Sequence, residues 1–247
     1  MLTLAGRTCI FAGATGMIGR GAVKALAEGG MNVVMATHNP ESAAEIIASL
    51  TGMPGTVIAA GTQEGQKDFY AEIEERFGSI DVVISNTGGF NAPRSVDEIT
   101  AEDISKKLEH QVTGAWRMVQ NALPYLRRSR AGRILLMSSA GAQDGFTGEN
   151  IADSIARGGV ISMTYALARA LAPDGITVNC IAKSGVVNDH EPRKPEHYQV
   201  NSILERIPLG RIGTNDEFGA AVAYLASEEA AFVTGQVLNL SGGLHIG

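Results

Sequence analysis

The sequence predicts a three-layer, doubly wound α/β fold with a seven-stranded parallel sheet. Short segments rich in β-branched and apolar residues alternate with longer segments of helical periodicity, which is typical of strand–helix–strand units. Glycine and proline stand between the segments, where the chain must turn. The chain has 247 residues, of which 45% are hydrophobic, and this is enough to cover a sheet on both faces. We therefore expect a single domain spanning residues 1–247.

Seven segments are predicted as strands because they are short, apolar and bounded by turn residues. In chain order they are Thr8–Ala12, Asn32–Thr37, Gly55–Ala60, Asp81–Ser85, Arg133–Ser138, Thr177–Ala182 and Gln236–Leu240. Their alternation with helices favours parallel pairing within one sheet.

Helices are predicted for the longer periodic segments between the strands. They are Ile18–Glu28, Ser42–Leu50, Gln66–Phe77, Glu102–Leu126, Ile151–Ala172 and Asp216–Ser227. Helix-ending residues agree with these bounds, since Gly29 and Gly30 follow the first helix and Gly78 follows the third. Residues 183–207 have no clear periodicity and follow a strand end, where doubly wound folds bind ligands. We expect them to form a substrate loop or lid.

Composition argues against several classes of function. The formal net charge is -6, and no basic run exceeds the pair Arg127 and Arg128, so we expect no nucleic-acid partner. No apolar stretch is long enough to span a bilayer, and the first residues lack the pattern of a secretory signal. Cys9 and Cys180 lie in strand-like runs, which favours buried cysteines in a reducing compartment over a disulfide or a metal site. We expect a cytoplasmic protein without a membrane segment or a metal.

The segment FAGATGMIGRGAV follows the first predicted strand and opens the first helix. Gly13, Gly16 and Gly19 give it the spacing G-x-x-G-x-x-G. Glycines permit a tight turn and a close approach of backbone N–H groups to a pyrophosphate, whose charge a helix N-terminus also favours. The segment therefore predicts a dinucleotide site, with a plain strand-to-helix turn as the alternative.

Four further segments make the chain resemble the short-chain dehydrogenase/reductase (SDR) family over nearly its whole length. They are IDVVISNTGG, GRILLMSSAG, LARALAPDGITVNCIA and IPLGRIGTNDEFGAAVAYLASEEAAFVTGQVLNLSGG, in the family's order. The resemblance implies a Rossmann-like fold, a nicotinamide dinucleotide across the strand ends, and a homotetramer or homodimer built through the fourth and fifth helices. The cofactor-binding positions that it implies are Gly13, Thr15, Gly16, Met17, Ile18, Gly19, Thr37, His38, Asn39, Asn86, Thr87, Gly88, Arg157, Ser184 and Val186.

The end of the second strand indicates which nucleotide is bound. NAD-binding sites of this fold place a carboxylate there, which holds the ribose hydroxyls and repels a 2′-phosphate. Here Thr37 takes that position, followed by His38 and Asn39. All three side chains can donate hydrogen bonds to a phosphate, so NADP(H) is favoured over NAD(H).

The resemblance also implies four catalytic positions, and three of them are changed. An asparagine, a serine, a tyrosine and a lysine are expected, and they align with Gln111, Ser139, Asp153 and Arg157. Ser139 is kept and would orient the substrate oxygen. At neutral pH an ordinary aspartate is ionised whereas a tyrosine is protonated, so Asp153 would start a reaction as a base. Tyr165 repeats the tyrosine spacing but lies two helical turns beyond Arg157, so it cannot replace the missing residue.

These residues leave three functions open. The first is an NADP(H)-binding oxidoreductase of a small alcohol or carbonyl compound, with an atypical proton path through Asp153 and Arg157. The second is a non-redox enzyme, an isomerase, dehydratase or lyase, with Asp153 as base. The third is a non-catalytic nucleotide-binding subunit. For Asp153 and Arg157, the alternative to a chemical role is a structural i,i+4 salt bridge between them, worth about 0.3–0.5 kcal/mol.

Overall fold

A seven-stranded parallel sheet forms the centre of the protein, in the order β3-β2-β1-β4-β5-β6-β7. The computed structural model describes residues 2–16, 18–62, 68–88, 95–145, 151–184 and 204–247. Its strands are β1 (Thr8–Ala12), β2 (Asn32–Ala36), β3 (Val57–Ala60), β4 (Val82–Ser85), β5 (Arg133–Ser139), β6 (Thr177–Lys183) and β7 (Val237–Leu240). Every neighbouring pair is parallel. The predicted sheet is therefore confirmed, together with the approximate bounds of each strand.

The helices lie between these strands along the chain. Within the described residues they are α1 (Gly19–Glu28), α2 (Pro40–Ser49), α3 (Phe69–Phe77), α4 (Ala101–Leu108), α5 (Gly114–Leu126), α6 (Gly141–Asp144), α7 (Ile151–Leu171) and α8 (Asn215–Ala226). Asn39 begins α2 by accepting the backbone N–H of Ser42 at 3.0 Å. Gly78 ends α3 in a left-handed conformation with φ +83°. Of the predicted helix Gln66–Phe77, residues 66 and 67 lie outside the described residues.

Two hydrophobic clusters separate the sheet from its two helical layers. One cluster joins buried residues of α1, α2 and α8 to the sheet, and the other joins those of α3, α5 and α7. Successive side chains of a strand point to opposite faces of the sheet, so each strand contributes to both clusters. In β5, for example, Leu135 lies in the first cluster, and its neighbours Ile134 and Leu136 lie in the second. The prediction of a three-layer, doubly wound fold is confirmed.

One predicted helix differs from its prediction. The segment Glu102–Leu126 is helical throughout, but a π-helical turn at Glu109–Thr113 stands between α4 and α5. Such a turn has more residues per turn than an α-helix, and it is frequent at functional sites. It carries Gln111, one of the predicted catalytic residues.

The two cysteines are free and fully buried. Burial raises the pKa of both thiols, that of Cys180 to about 12. In the part of the chain that the structure describes, every helix is too short or too polar to cross a bilayer. The same residues include no group of three or more His, Cys, Asp or Glu side chains placed to hold a metal ion.

Candidate functional site

The candidate site lies at the carboxyl ends of the strands, where the strand order reverses beside β1. β1 pairs with β2 on one side and with β4 on the other, so the connections that follow β1 and β4 leave in opposite directions. A doubly wound sheet binds its ligands in the crevice at this point. The predicted cofactor residues after β1, β2 and β4 all come from this edge.

The glycine loop after β1 is shaped by contacts with its own surroundings. Gly13 has φ +78°, and a Cβ atom there would lie 2.3 Å from the backbone oxygen of Asn86. The Asn86 side chain in turn donates to the Gly13 carbonyl at 3.1 Å. At Gly19, a Cβ atom would lie 2.1 Å from the carbonyl oxygen of Ala14. Both glycines are required because backbone approaches them too closely for any side chain.

The remaining loop positions complete the turn into α1. The backbone N–H of Gly16 donates to the Gly13 carbonyl at 3.3 Å, and that of Gly19 donates to Gly16 at 3.0 Å. Ile18 is the buried N-cap of α1. The prediction for Met17 falls outside the described residues.

The end of β2 presents hydroxyl groups to the same loop. Thr37 Oγ1 lies 3.1 Å from the Oγ1 of Thr15 and accepts the backbone N–H of Asn39 at 3.0 Å. His38 is exposed beside them. The side-chain oxygen of Asn39 is already used to cap α2, so this residue has a structural role in addition to any contact with a ligand.

The loop after β4 connects the cofactor edge to the predicted catalytic residues. Thr87 Oγ1 lies 3.5 Å from the carbonyl oxygen of His110, in the π-turn. Gly88 has φ +125°, and a Cβ atom there would lie 3.1 Å from Nε2 of Gln111. Gln111 therefore packs directly against the loop in which the resemblance expects nucleotide contacts.

The centre of the candidate site is a buried carboxylate with two donors on one oxygen. Asp153 is 2% exposed, and its Oδ1 accepts from Nε2 of Gln111 at 2.9 Å. The same oxygen lies 2.7 Å from Nζ of Lys107, whose side chain is 17% exposed. Oδ2 is buried and has no hydrogen-bond partner among the described residues. Asp153 also lies in the first turn of α7, where the helix dipole favours a negative charge.

Ser139 and Arg157 are also buried at this edge of the sheet. Ser139 is the last residue of β5 and is 3% exposed. Arg157 follows Asp153 by one turn of α7 and is 7% exposed. The neighbouring Ser138 donates its hydroxyl to the Arg157 carbonyl at 3.0 Å, which fixes α7 against the end of β5.

The pattern of the whole chain agrees with a known family. The family model described as enoyl-(acyl carrier protein) reductase matches residues 13–245. The chain belongs to the short-chain dehydrogenase/reductase family. This SDR protein is 30% identical over 250 residues to the 3-oxoacyl-[acyl-carrier-protein] reductase FabG of Thermotoga maritima, covering 99% of this chain and 100% of that one. It is 31% identical over 248 residues to the FabG of Vibrio cholerae, with coverage of 99% and 100%.

Solved structures share the fold of this SDR protein at lower identity. A dehalogenation enzyme superposes with a TM-score of 0.87 at 24% identity, covering 99% of this chain and 100% of the other. A structure named as a short-chain alcohol dehydrogenase of Sinorhizobium meliloti has the same score and identity, with coverage of 98% and 97%. The protein is thus an oxidoreductase-family member with a Rossmann-like fold, and the family's class of cofactor is a nicotinamide dinucleotide.

The structure brings together some of the predicted residues and separates others. Gln111 and Asp153 are in direct contact. The ion-pair partner of Asp153 is Lys107, so a salt bridge to Arg157 does not account for this carboxylate. Tyr165 is 48% exposed, on a different face of α7 from Asp153.

Of the predicted cofactor positions after β6, Ser184 donates its backbone N–H to the carbonyl oxygen of Leu240 at 3.0 Å. Val186 and residues 185–203 of the predicted lid lie outside the described residues.

Sequence reasoning missed Lys107. It precedes Gln111 by four residues, a spacing that puts two side chains on one face of a helix. That spacing was available in the sequence, but Lys106 stands beside it and offers the same charge. In the structure Lys106 pairs with Glu102, and both of these side chains are more than 70% exposed. Only the packing of α4 against α7 distinguishes the two lysines.

Proposed function

We propose that this SDR protein is an NADP(H)-dependent oxidoreductase of a small alcohol or carbonyl compound, in which Asp153 exchanges the substrate proton. The observation that carries the proposal is the buried Asp153 carboxylate, whose Oδ1 is held by Lys107 and Gln111 while Oδ2 has no partner among the described residues. A carboxylate held in this way is a base whose second oxygen has acceptor sites that no described residue fills.

The roles of the residues follow from their chemistry. Oδ2 of Asp153 takes the hydroxyl proton of an alcohol, and Ser139 orients the substrate oxygen. Arg157 donates hydrogen bonds to the nucleotide ribose. When bound, the oxidised nicotinamide supplies the acceptor for the hydride that leaves the carbinol carbon. The curated relatives named above are 3-oxoacyl-[acyl-carrier-protein] reductases, which makes 3-hydroxy and 3-oxo compounds the first substrates to try.

The donor set at the end of β2 supports NADP(H). The hydroxyl groups of Thr15 and Thr37 lie together at 3.1 Å, in the position where an NAD site would carry a carboxylate. Glu45, on the following helix, is neutralised by Arg20 at 2.8 Å. A 2′-phosphate at the end of β2 would therefore meet the hydroxyl groups of Thr15 and Thr37 in place of a carboxylate.

The first experiment is a titration of the purified protein with NADPH and with NADH, followed by nicotinamide fluorescence. We expect saturable binding, tighter for NADPH. With NADP⁺ and ethyl 3-hydroxybutyrate, we expect turnover that Asp153→Asn lowers by about 10²–10⁴-fold, as for the loss of a general base, while the nucleotide affinity stays within twofold. Failure to bind either nucleotide would overturn the proposal.

The same carboxylate also favours a second candidate, a non-redox isomerase, dehydratase or lyase. Proton abstraction next to a carbonyl needs a base but no hydride acceptor. Turnover that is independent of added nucleotide and abolished by Asp153→Asn would support this candidate. Nucleotide binding without any turnover, and co-purification with an active relative, would instead support a non-catalytic subunit.

We also propose that the protein is a homodimer or homotetramer. Trp116 of α5 is 41% exposed, and Ile155 and Tyr165 of α7 are 43% and 48% exposed, so both helices carry large apolar side chains on their outer faces. A second copy would cover these side chains. Sedimentation equilibrium should give a dimer or larger, and Trp116→Glu should shift it towards the monomer. A wild-type monomer at micromolar concentration would overturn this.

A further inference from the structure

The two carboxylate oxygens of Asp153 have opposite surroundings. Oδ1 has two donors at 2.7 and 2.9 Å, whereas the buried Oδ2 has no hydrogen-bond partner among the described residues. An unsatisfied buried acceptor is costly, so native proteins rarely keep one without a reason. A donor that arrives with a ligand is such a reason.

The donors on Oδ1 determine which kind of ligand group fits Oδ2. Lys107 brings a positive charge, and Gln111 brings an amide N–H. Both groups donate to Oδ1, and neither offers it an acceptor. With both donors on Oδ1, the carboxylate keeps unfilled acceptor sites on Oδ2. Oδ2 can accept from a hydroxyl but repels the lone pairs of a carbonyl oxygen.

We propose that Lys107 is a positioning residue: together with Gln111 it holds Oδ1 of Asp153, so that only Oδ2 can accept a hydrogen bond from the substrate. The site therefore binds the hydroxyl form of its substrate more tightly than the carbonyl form. This inference rests on the proposed function. It names the substrate form that binds first and assigns a role to a lysine outside the family's four expected positions.

The reaction that follows is the oxidation of an alcohol. The O–H bond breaks and its proton goes to Oδ2 of Asp153, while the C–H bond of the carbinol carbon breaks and its hydride goes to an oxidised nicotinamide nucleotide. The alcohol becomes a carbonyl compound, and the nucleotide is reduced by the same two electrons. The carbonyl product has no hydroxyl to donate to Oδ2, so it binds the site more weakly than the alcohol.

The test compares two matched probes in complexes that cannot turn over. Ethyl 3-hydroxybutyrate is titrated into the protein saturated with NADPH, and ethyl acetoacetate into the protein saturated with NADP⁺. Saturation-transfer NMR is the readout. The wild type should bind the hydroxy probe about tenfold more tightly, the equivalent of one charge-assisted hydrogen bond. Comparison between variants cancels any difference due to the nucleotide.

Three variants separate positioning from general stability. Lys107→Met should remove most of the preference, and Lys107→Arg should restore part of it because a cation is again present. Lys106→Met is the matched control, since that lysine is exposed and pairs elsewhere, and it should behave as wild type. If Lys107→Met does not fold, Lys107→Gln tests the loss of charge in a polar side chain.

The outcomes distinguish this inference from the proposed function. Loss of nucleotide binding in the wild type would reject the proposed function itself. A wild type that binds nucleotide but takes the keto probe as tightly as the hydroxy probe, or takes neither, would overturn the inference alone. It would also be overturned if a folded Lys107→Met or Lys107→Gln variant kept the full preference.

Discussion

Replacement of Lys107 by methionine removes the cation beside a buried carboxylate while keeping a side chain of similar length. Its Nζ lies 2.7 Å from Oδ1 of Asp153, and the two side chains are 17% and 3% exposed. At an effective dielectric constant of about 20, charges this close attract each other by ~6 kcal/mol before desolvation is counted. Loss of one partner of a buried pair typically costs about 3–5 kcal/mol. Because Lys107 keeps some contact with water, we expect the free energy of unfolding to fall by about 3 kcal/mol.

Two comparisons isolate the charge pair from other effects of the substitution. Lys106 pairs with Glu102 at 2.7 Å, but those side chains are 71% and 74% exposed, so Lys106→Met should change the free energy of unfolding by less than about 0.5 kcal/mol. The double variant with Asp153→Asn leaves no buried charge without a partner. It should therefore be more stable than Lys107→Met alone, with a coupling energy of about 2 kcal/mol.

The assay is urea unfolding followed by circular dichroism, at one protein concentration for all variants because an oligomer unfolds in a concentration-dependent way. Equal slopes of the unfolding free energy against urea concentration would show that the variants expose the same surface area on unfolding. The reasoning is refuted if Lys107→Met is no less stable than Lys106→Met. It is also refuted if the double variant loses the sum of the two single losses, since independent residues add in that way.

Three other predictions concern the cofactor loop, the nucleotide preference and the acid limit of stability. Gly13→Ala should lower NADPH affinity at least tenfold, because the residue has φ +78° and its Cβ would lie 2.3 Å from a backbone oxygen. Gly6→Ala is the control, since Gly6 has φ +74° but nothing within 4 Å of the added Cβ. It should cost only about 1 kcal/mol of stability and leave the NADPH affinity unchanged. Thr37→Asp should reverse the preference towards NADH, while Thr37→Ser keeps it; equal NADPH affinity in both variants would contradict the assignment of the 2′-phosphate site. The hydrogen bond from Arg211 is the main cause that lowers the pKa of Glu217 from 4.5 to about 2, so this carboxylate adds stability above pH 4.5 that is lost as the pH falls towards 2, and Glu217→Gln should flatten the melting temperature across that range.

The fold could be predicted from sequence because its signals are local and repeated. Each strand is a short apolar run between turn residues, and residues such as Gly78 mark where helices stop. The π-turn at Glu109–Thr113 could not be predicted in this way. It shifts the helix by a fraction of a turn, and this is within the normal scatter of hydrophobic periodicity.

The candidate site was only partly accessible to the same reasoning. Alignment with family positions identified Gln111 and Asp153, which are hydrogen-bonded in the structure. It also suggested Arg157 as the charge partner of Asp153, because a spacing of four residues within one helix is easy to recognise. The actual partner is Lys107, on a different helix. Contacts between helices depend on packing angles and on the π-turn, and neither can be derived from spacing along one chain.

The charges around Asp153 bear on nucleotide binding if Asp153 and Arg157 take the tyrosine and lysine positions, as the resemblance implies. The family's usual pair combines a neutral tyrosine with a positive lysine, and so carries one positive charge beside the nicotinamide. On that alignment, Asp153 and Arg157 alone would carry no net charge, because an aspartate is negative and an arginine positive. Lys107, 2.7 Å from the carboxylate, restores one net positive charge to the cluster. If this balance is what the bound nucleotide requires, Lys107→Met should weaken nucleotide binding and Asp153→Asn should not, which fluorescence titration of the two variants can decide.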